Sequence, residues 1–150
     1  MKVLTLYILA LLGGMFLAIQ AGFNSQLGTM LKQPILAVIA TSISSVLFGG
    51  LAFFIMGKGA VNTGVLNQVP WYLWLIGGLF SMTGITLYFY TIPKLGISKM
   101  IALGLCGQVI FSMVAGQYGW LNLPEEPLTK KRIIGALIMI TGIILVNTKQ

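Results

Sequence analysis

The chain has 150 residues, 57% of them hydrophobic and 7% charged, with nine Lys/Arg against two acids for a formal charge of +7. A soluble domain carries about 25% charged residues, so this composition excludes a water-soluble fold and leaves one membrane-embedded domain, residues 1–150. No His, one cysteine (Cys106) and two adjacent acids cannot build a metal site, a catalytic triad or an internal disulfide, so no enzyme activity, metal or cofactor is expected.

A spanning helix needs about 20 apolar residues to cross roughly 30 Å of hydrocarbon. Five segments qualify as candidates. The first covers about 3–31, most apolar over Val3–Ile19, and closes at Lys32-Gln33-Pro34. Four further apolar segments follow it and no clear cleavage site does, so it reads as a helix that is kept rather than as a signal peptide. The second helix covers 35–56 and runs into a loop, Gly57–Pro70, rich in Gly and Asn. Trp71, Tyr72 and Trp74 open the third, 71–92, at positions suited to the headgroup level. Pro93-Lys94-Leu95-Gly96 then predicts a very tight turn. The fourth helix covers 97–117 and closes on Tyr118 and Trp120. A proline-bounded loop, Asn122–Pro127, follows, with Glu125 and Glu126 expected to be solvated. The last apolar run, Ile133–Val146, is only 14 residues. Snorkelling of Lys130-Lys131-Arg132 and Lys149 extends it to a helix over 132–148, and it too is expected to span. The predicted fold is all-α, polytopic, with five transmembrane helices.

The nine cations are spread between these runs with no interleaved aromatic patch, which reads as bilayer anchoring and not nucleic-acid binding. Five spans place the termini on opposite sides. One side then carries Lys2, Lys58, Lys130, Lys131 and Arg132; the other carries Lys32, Lys94, Lys99 and Lys149. Five against four is almost no instruction on which way to insert. Two readings stay open: a single orientation fixed by other signals or by a partner, or dual topology with copies pairing antiparallel.

Helices in lipid associate through small residues and interhelical hydrogen bonds. Gly77, Ser81, Gly84, Tyr88 and Thr91 share one face of the third helix; Thr41, Ser45 and Gly49 share one of the second; Gly104, Gln108 and Ser112 share one of the fourth. Gly135 and Gly142 are a heptad apart on the fifth, a candidate close-contact seam. Gln20 and Asn24, at i and i+4, and Gln108 near the middle of its helix are costly in hydrocarbon unless hydrogen-bonded, so they either glue helices or line a polar path. No Asp, Glu or His lies in any span, which disfavours proton-coupled export of cations. Lys94 and Lys99 bracket the tight turn, where they suit phospholipid anchoring first and attraction of an anionic substrate second.

The segment Gln20-Ala21-Gly22-Phe23-Asn24-Ser25-Gln26-Leu27-Gly28 resembles the signature of the YdcZ-type family of the drug/metabolite transporter superfamily. Pro70-Trp71-Tyr72, Pro93-Lys94-Leu95-Gly96, Gly107-Gln108, Tyr118-Gly119-Trp120 and the Leu-Pro loop before a basic-flanked last helix continue the resemblance in order along essentially the whole chain. The resemblance implies half of a ten-helix, inverted-repeat transporter of the bacterial inner membrane. The chain would be completed by a second, antiparallel copy of itself or by an oppositely oriented paralogue. It implies a small-molecule substrate bound by Gln20, Asn24 and Gln108. Tyr88 joins these as a ring or hydroxyl contact and Ser42 as a lesser candidate. With no carboxylate in the spans, the substrate is expected to be neutral, zwitterionic or anionic. The rival expectation is a non-transporting scaffold or accessory subunit.

Overall fold

The computed structural model describes residues 3–57, 63–66, 68–122 and 124–147. Lys2, Lys58 and Lys149 of the charge count, Leu123 of the proline-bounded loop and residue 148 at the expected end of the last helix lie outside them. Among the described residues every regular element is helical: α1 (Val3–Met30), α2 (Pro34–Met56), the single turn α3 (Thr63–Leu66), α4 (Trp71–Leu95), α5 (Ile97–Gln117), a 3₁₀ turn (Trp120–Asn122) and α6 (Lys130–Asn147).

Four of these helices, α1, α2, α4 and α5, are long and apolar enough to cross a membrane, at 28, 23, 25 and 21 residues. At about 1.5 Å per residue even the shortest reaches roughly 30 Å. The protein is therefore a polytopic membrane protein. The fifth long helix, α6, has 18 residues and begins with three cations, so it is not among the four.

The helix ends follow from local chemistry. Lys32 sits in the left-handed region at φ 55°, and its N–H donates to Thr29 O at 3.1 Å while Gln33 N–H donates to Gly28 O at 3.1 Å. These are the two bonds of a Schellman cap, with lysine where glycine is usual. Pro34 then opens α2 at a position where its missing N–H costs nothing. The tight turn after the third long helix differs from expectation: α4 does not stop at Ile92 but continues through Pro93 to Leu95. Proline forfeits one backbone bond there without ending the helix, and the break falls instead at Gly96, whose φ of 89° no β-carbon residue readily adopts. Lys94, in the last turn of α4, lies with Nζ 3.4 Å from the centre of the Tyr90 ring, a cation–π contact one turn back.

The chain's contacts cluster into two units, Met1–Lys94 and Leu95–Gln150. In the first, Ala21, Ser25 and Gly28 are buried at i, i+4 and i+7 of α1. This stripe of small residues lets α1 close onto α2, where Ala37 and Val38 are buried, with Phe89 of α4 completing the cluster. A β-carbon on Gly28 would stand 3.3 Å from Pro34 Cα, 3.5 Å from Ala37 Cβ and 3.9 Å from Phe89 Cβ. Away from this junction the helices leave their apolar side chains exposed, among them Phe16, Phe54 and Phe80, as a protein solvated by lipid can.

In the second unit α6 packs on α5. Ala136, Met139, Ile140 and Ile143, at i, i+3, i+4 and i+7, are its half-buried face. The loop between the two helices is tied down. Glu126 is exposed, as expected, and is paired as well. Its N–H donates to Gly116 O at 2.8 Å, Arg132 Nη1 donates to its carbonyl at 2.8 Å, and its carboxylate pairs with Arg132 Nη2. Leu128 N–H adds a bond to Gln117 Oε1 at 2.6 Å. Gly116 permits the approach, since a β-carbon there would already touch Glu126 Cβ at 3.4 Å. Beside the loop, the Tyr118 and Trp120 rings stack at 6.0 Å.

Candidate functional site

A groove of about 370 Å³ lies in the first unit, lined by Gln20, Asn24 and Leu27 of α1 and by Ala40, Thr41, Ser44, Ser45 and Phe48 of α2. That volume is within the range of small-molecule sites. The spacing of the residues explains it. Gln20 and Asn24 are one turn apart on α1, and Thr41, Ser44 and Ser45 fall at i, i+3 and i+4 of α2, so each helix presents a short polar face. The groove sits beside the small-residue junction: Leu27 is shared between its lining and the apolar cluster around Phe89.

The hydrogen bonding is uneven across the two walls. On α2, Thr41 Oγ1 donates to Ala37 O at 2.7 Å and Ser44 Oγ donates to Ala40 O at 2.8 Å. Both bonds are the backbone-directed kind that helical hydroxyls commonly make. On α1, the half-buried side chains of Gln20 and Asn24 have no hydrogen-bond partner among the described residues. Among the described residues no Lys, Arg, Asp or Glu lines the groove. Polar atoms beside apolar side chains, with no formal charge among the described lining residues, suit recognition of a small polar molecule.

The structure places Gln20 and Asn24 on one groove, whose lining does not include Ser42 or Tyr88. Tyr88 is half-buried in the apolar cluster with Leu27, Ile85 and Phe89, so its ring packs and does not line the groove. Ser42 is exposed and points away from the lining set. Gln108 belongs to the second unit, where it is exposed on α5 with no hydrogen-bond partner among the described residues. Gly77, Gly84, Gly135 and Gly142 all face open space, with no atom within 4 Å of an added β-carbon. The groove residues that sequence reasoning did not single out as binding groups are Thr41, Ser44 and Ser45. Two of them, Thr41 and Ser45, already stood out as a stripe.

The comparisons bear on the whole chain. A family model described as "Putative inner membrane exporter, YdcZ" matches residues 5–145. No curated protein and no solved structure matches the chain.

Proposed function

The chain belongs to the YdcZ family of the drug/metabolite transporter superfamily, an inner-membrane transporter family and not a family of enzymes, and from that premise we propose that it moves a small molecule through the α1–α2 groove. The unpaired amides of Gln20 and Asn24 carry this reading. Two amides left without partners in spanning helices are costly unless something polar meets them, and a substrate does so transiently.

The functional unit is two chains of inverted orientation. In it α6 spans as a fifth helix, its basic first turn at the headgroups. Alternating access follows from rocking one half against the other around a site near the bilayer midplane. Three features support a second chain: the five-to-four charge balance, the exposed amide of Gln108 in the apolar middle of α5, and the uncovered glycine seams Gly77/Gly84 and Gly135/Gly142. The partner is an antiparallel copy or an oppositely inserted paralogue. Gln108 completes the substrate contacts. The substrate is neutral, zwitterionic or anionic.

Untargeted mass spectrometry of the growth medium tests the transporter role. Cells expressing the chain should accumulate at least one solute outside, or deplete one, relative to cells expressing Gln20→Leu at equal membrane abundance. A medium profile unchanged by both the wild type and the variant would instead favour a scaffold or accessory subunit. Labelling of a cysteine added after Gln150, in a Cys106→Ser background, tests the pairing. Dual topology predicts that about half of the protein reacts with an impermeant maleimide from outside, whereas all-or-none labelling requires a different partner chain.

A further inference from the structure

Building on the transporter reading, we propose that the groove selects a neutral polyhydroxylated solute, an open-chain or cyclic polyol of about four to six carbons, over anions and cations. The two walls carry complementary hydrogen-bonding character. The protons of Thr41 and Ser44 are committed to Ala37 O and Ala40 O, and a hydroxyl so committed offers only lone pairs. The α2 wall is therefore an acceptor surface at Thr41 and Ser44, beside Ser45, which has no hydrogen bond among the described residues and can both donate and accept. The α1 wall holds two free amides, each with two N–H donors and a carbonyl.

Each charged class meets one unsuitable wall. A carboxylate or phosphate would face the lone pairs of Thr41 and Ser44 with no cation among the described residues lining the groove. An ammonium would find acceptors but no carboxylate to neutralise it. A hydroxyl group satisfies both walls at once, donating to an α2 oxygen and accepting from an α1 amide. The polar side chains repeat at about one helical turn, roughly 5–6 Å, on each wall. A ligand must therefore present two or more hydroxyls about that far apart, which simple alcohols cannot. Phe48 at the groove edge offers an apolar face to the C–H side of such a molecule.

The test is solute counterflow in proteoliposomes containing the purified chain, with radiolabelled erythritol, xylitol and glucitol as probes. Glutarate and tetraphenylphosphonium are the charged comparisons. We expect labelled polyol to accumulate in preloaded vesicles above the level in protein-free vesicles, with neither charged probe exchanged. Thr41→Val, which keeps the volume and removes the oxygen, should lower polyol exchange about tenfold. Thr41→Ser, which keeps the oxygen, should stay within about threefold of wild type, and this separates a lost acceptor from disturbed packing. Exchange of glutarate or tetraphenylphosphonium and of no polyol would overturn the polyol assignment while leaving the transporter reading intact. Exchange of none of the five probes would also overturn it, and the medium profile then decides separately whether the chain transports at all. Equal exchange by wild type and Thr41→Val would overturn the role given to the acceptor wall.

Discussion

The junction at Gly28 permits a prediction in which two opposing magnitudes decide the sign. Replacing Gly28 by Ala adds one β-carbon 3.3 Å from Pro34 Cα and 3.5 Å from Ala37 Cβ. The second distance is ordinary contact. The first asks the backbone at the cap to yield by a few tenths of an ångström, at a cost on the order of 1 kcal/mol. Alanine in place of glycine recovers up to about 1 kcal/mol of helix propensity, less in a last turn. Gly28→Ala should therefore change stability by less than about 1 kcal/mol. Gly28→Val adds two further methyl groups to a space closed by Pro34, Ala37 and Phe89, and overpacking of that kind costs about 1–3 kcal/mol with no compensating gain. Gly77→Val is the control, since nothing lies within 4 Å of a β-carbon there. Unfolding by SDS titration from dodecylmaltoside micelles, followed by tryptophan fluorescence, measures all three variants. If Gly28→Val unfolded at the wild-type midpoint, α1, α2 and α4 could not be close-packed at this point. The account of the first unit would then fail.

Other consequences are checked as directly. Lys32→Gly relieves a left-handed lysine in the α1 cap and should raise stability by about 0.5–1 kcal/mol in the same titration; a loss would mean that the lysine's headgroup contact outweighs its strain. Gln117→Ala removes the acceptor for Leu128 N–H, and exchange of that amide by mass spectrometry should quicken about five- to tenfold while α5 exchange is unchanged. Cys106 is half-buried in the apolar stretch of α5, where an impermeant reagent has little access. It should react slowly with an impermeant maleimide in micelles and fully after SDS unfolding. Rapid labelling of the folded protein would reveal water beside α5.

The sequence was most legible where chain chemistry is local. Lys32-Gln33-Pro34 does end one helix and start the next, and Trp71 does open α4. Pro93 misleads because a proline two residues from a helix end removes one bond, whereas Gly96 changes the backbone region altogether. Side-chain placement was legible only to within a helical rotation. Ser42 and Thr41 are neighbours in sequence yet about 100° apart around α2, and it is Thr41, with Ser44 and Ser45, that meets Gln20 and Asn24. The small-residue pattern was ambiguous for a similar reason. Ala21, Ser25 and Gly28 form the buried stripe while the more conspicuous Gly77 and Gly84 face open space, because spacing identifies a face but not what lies opposite it. The pairing of the exposed Glu126 was not legible because its partners, Gly116 and Arg132, lie on two different helices and no sequence period links them.

The tether built around Glu126 has a consequence for biogenesis. Alone, α6 is a poor candidate for entry into the bilayer: it is short, and three cations begin it. Tied to the end of α5 through Gly116, Gln117 and Arg132, it becomes the second limb of a preformed hairpin, with its cationic turn already partly neutralised by Glu126. If α6 spans as proposed, the two antiparallel limbs would partition together, the longer and more apolar α5 drawing its partner in, and the loop would act as a folding instruction delivered while the chain is still leaving the translocon.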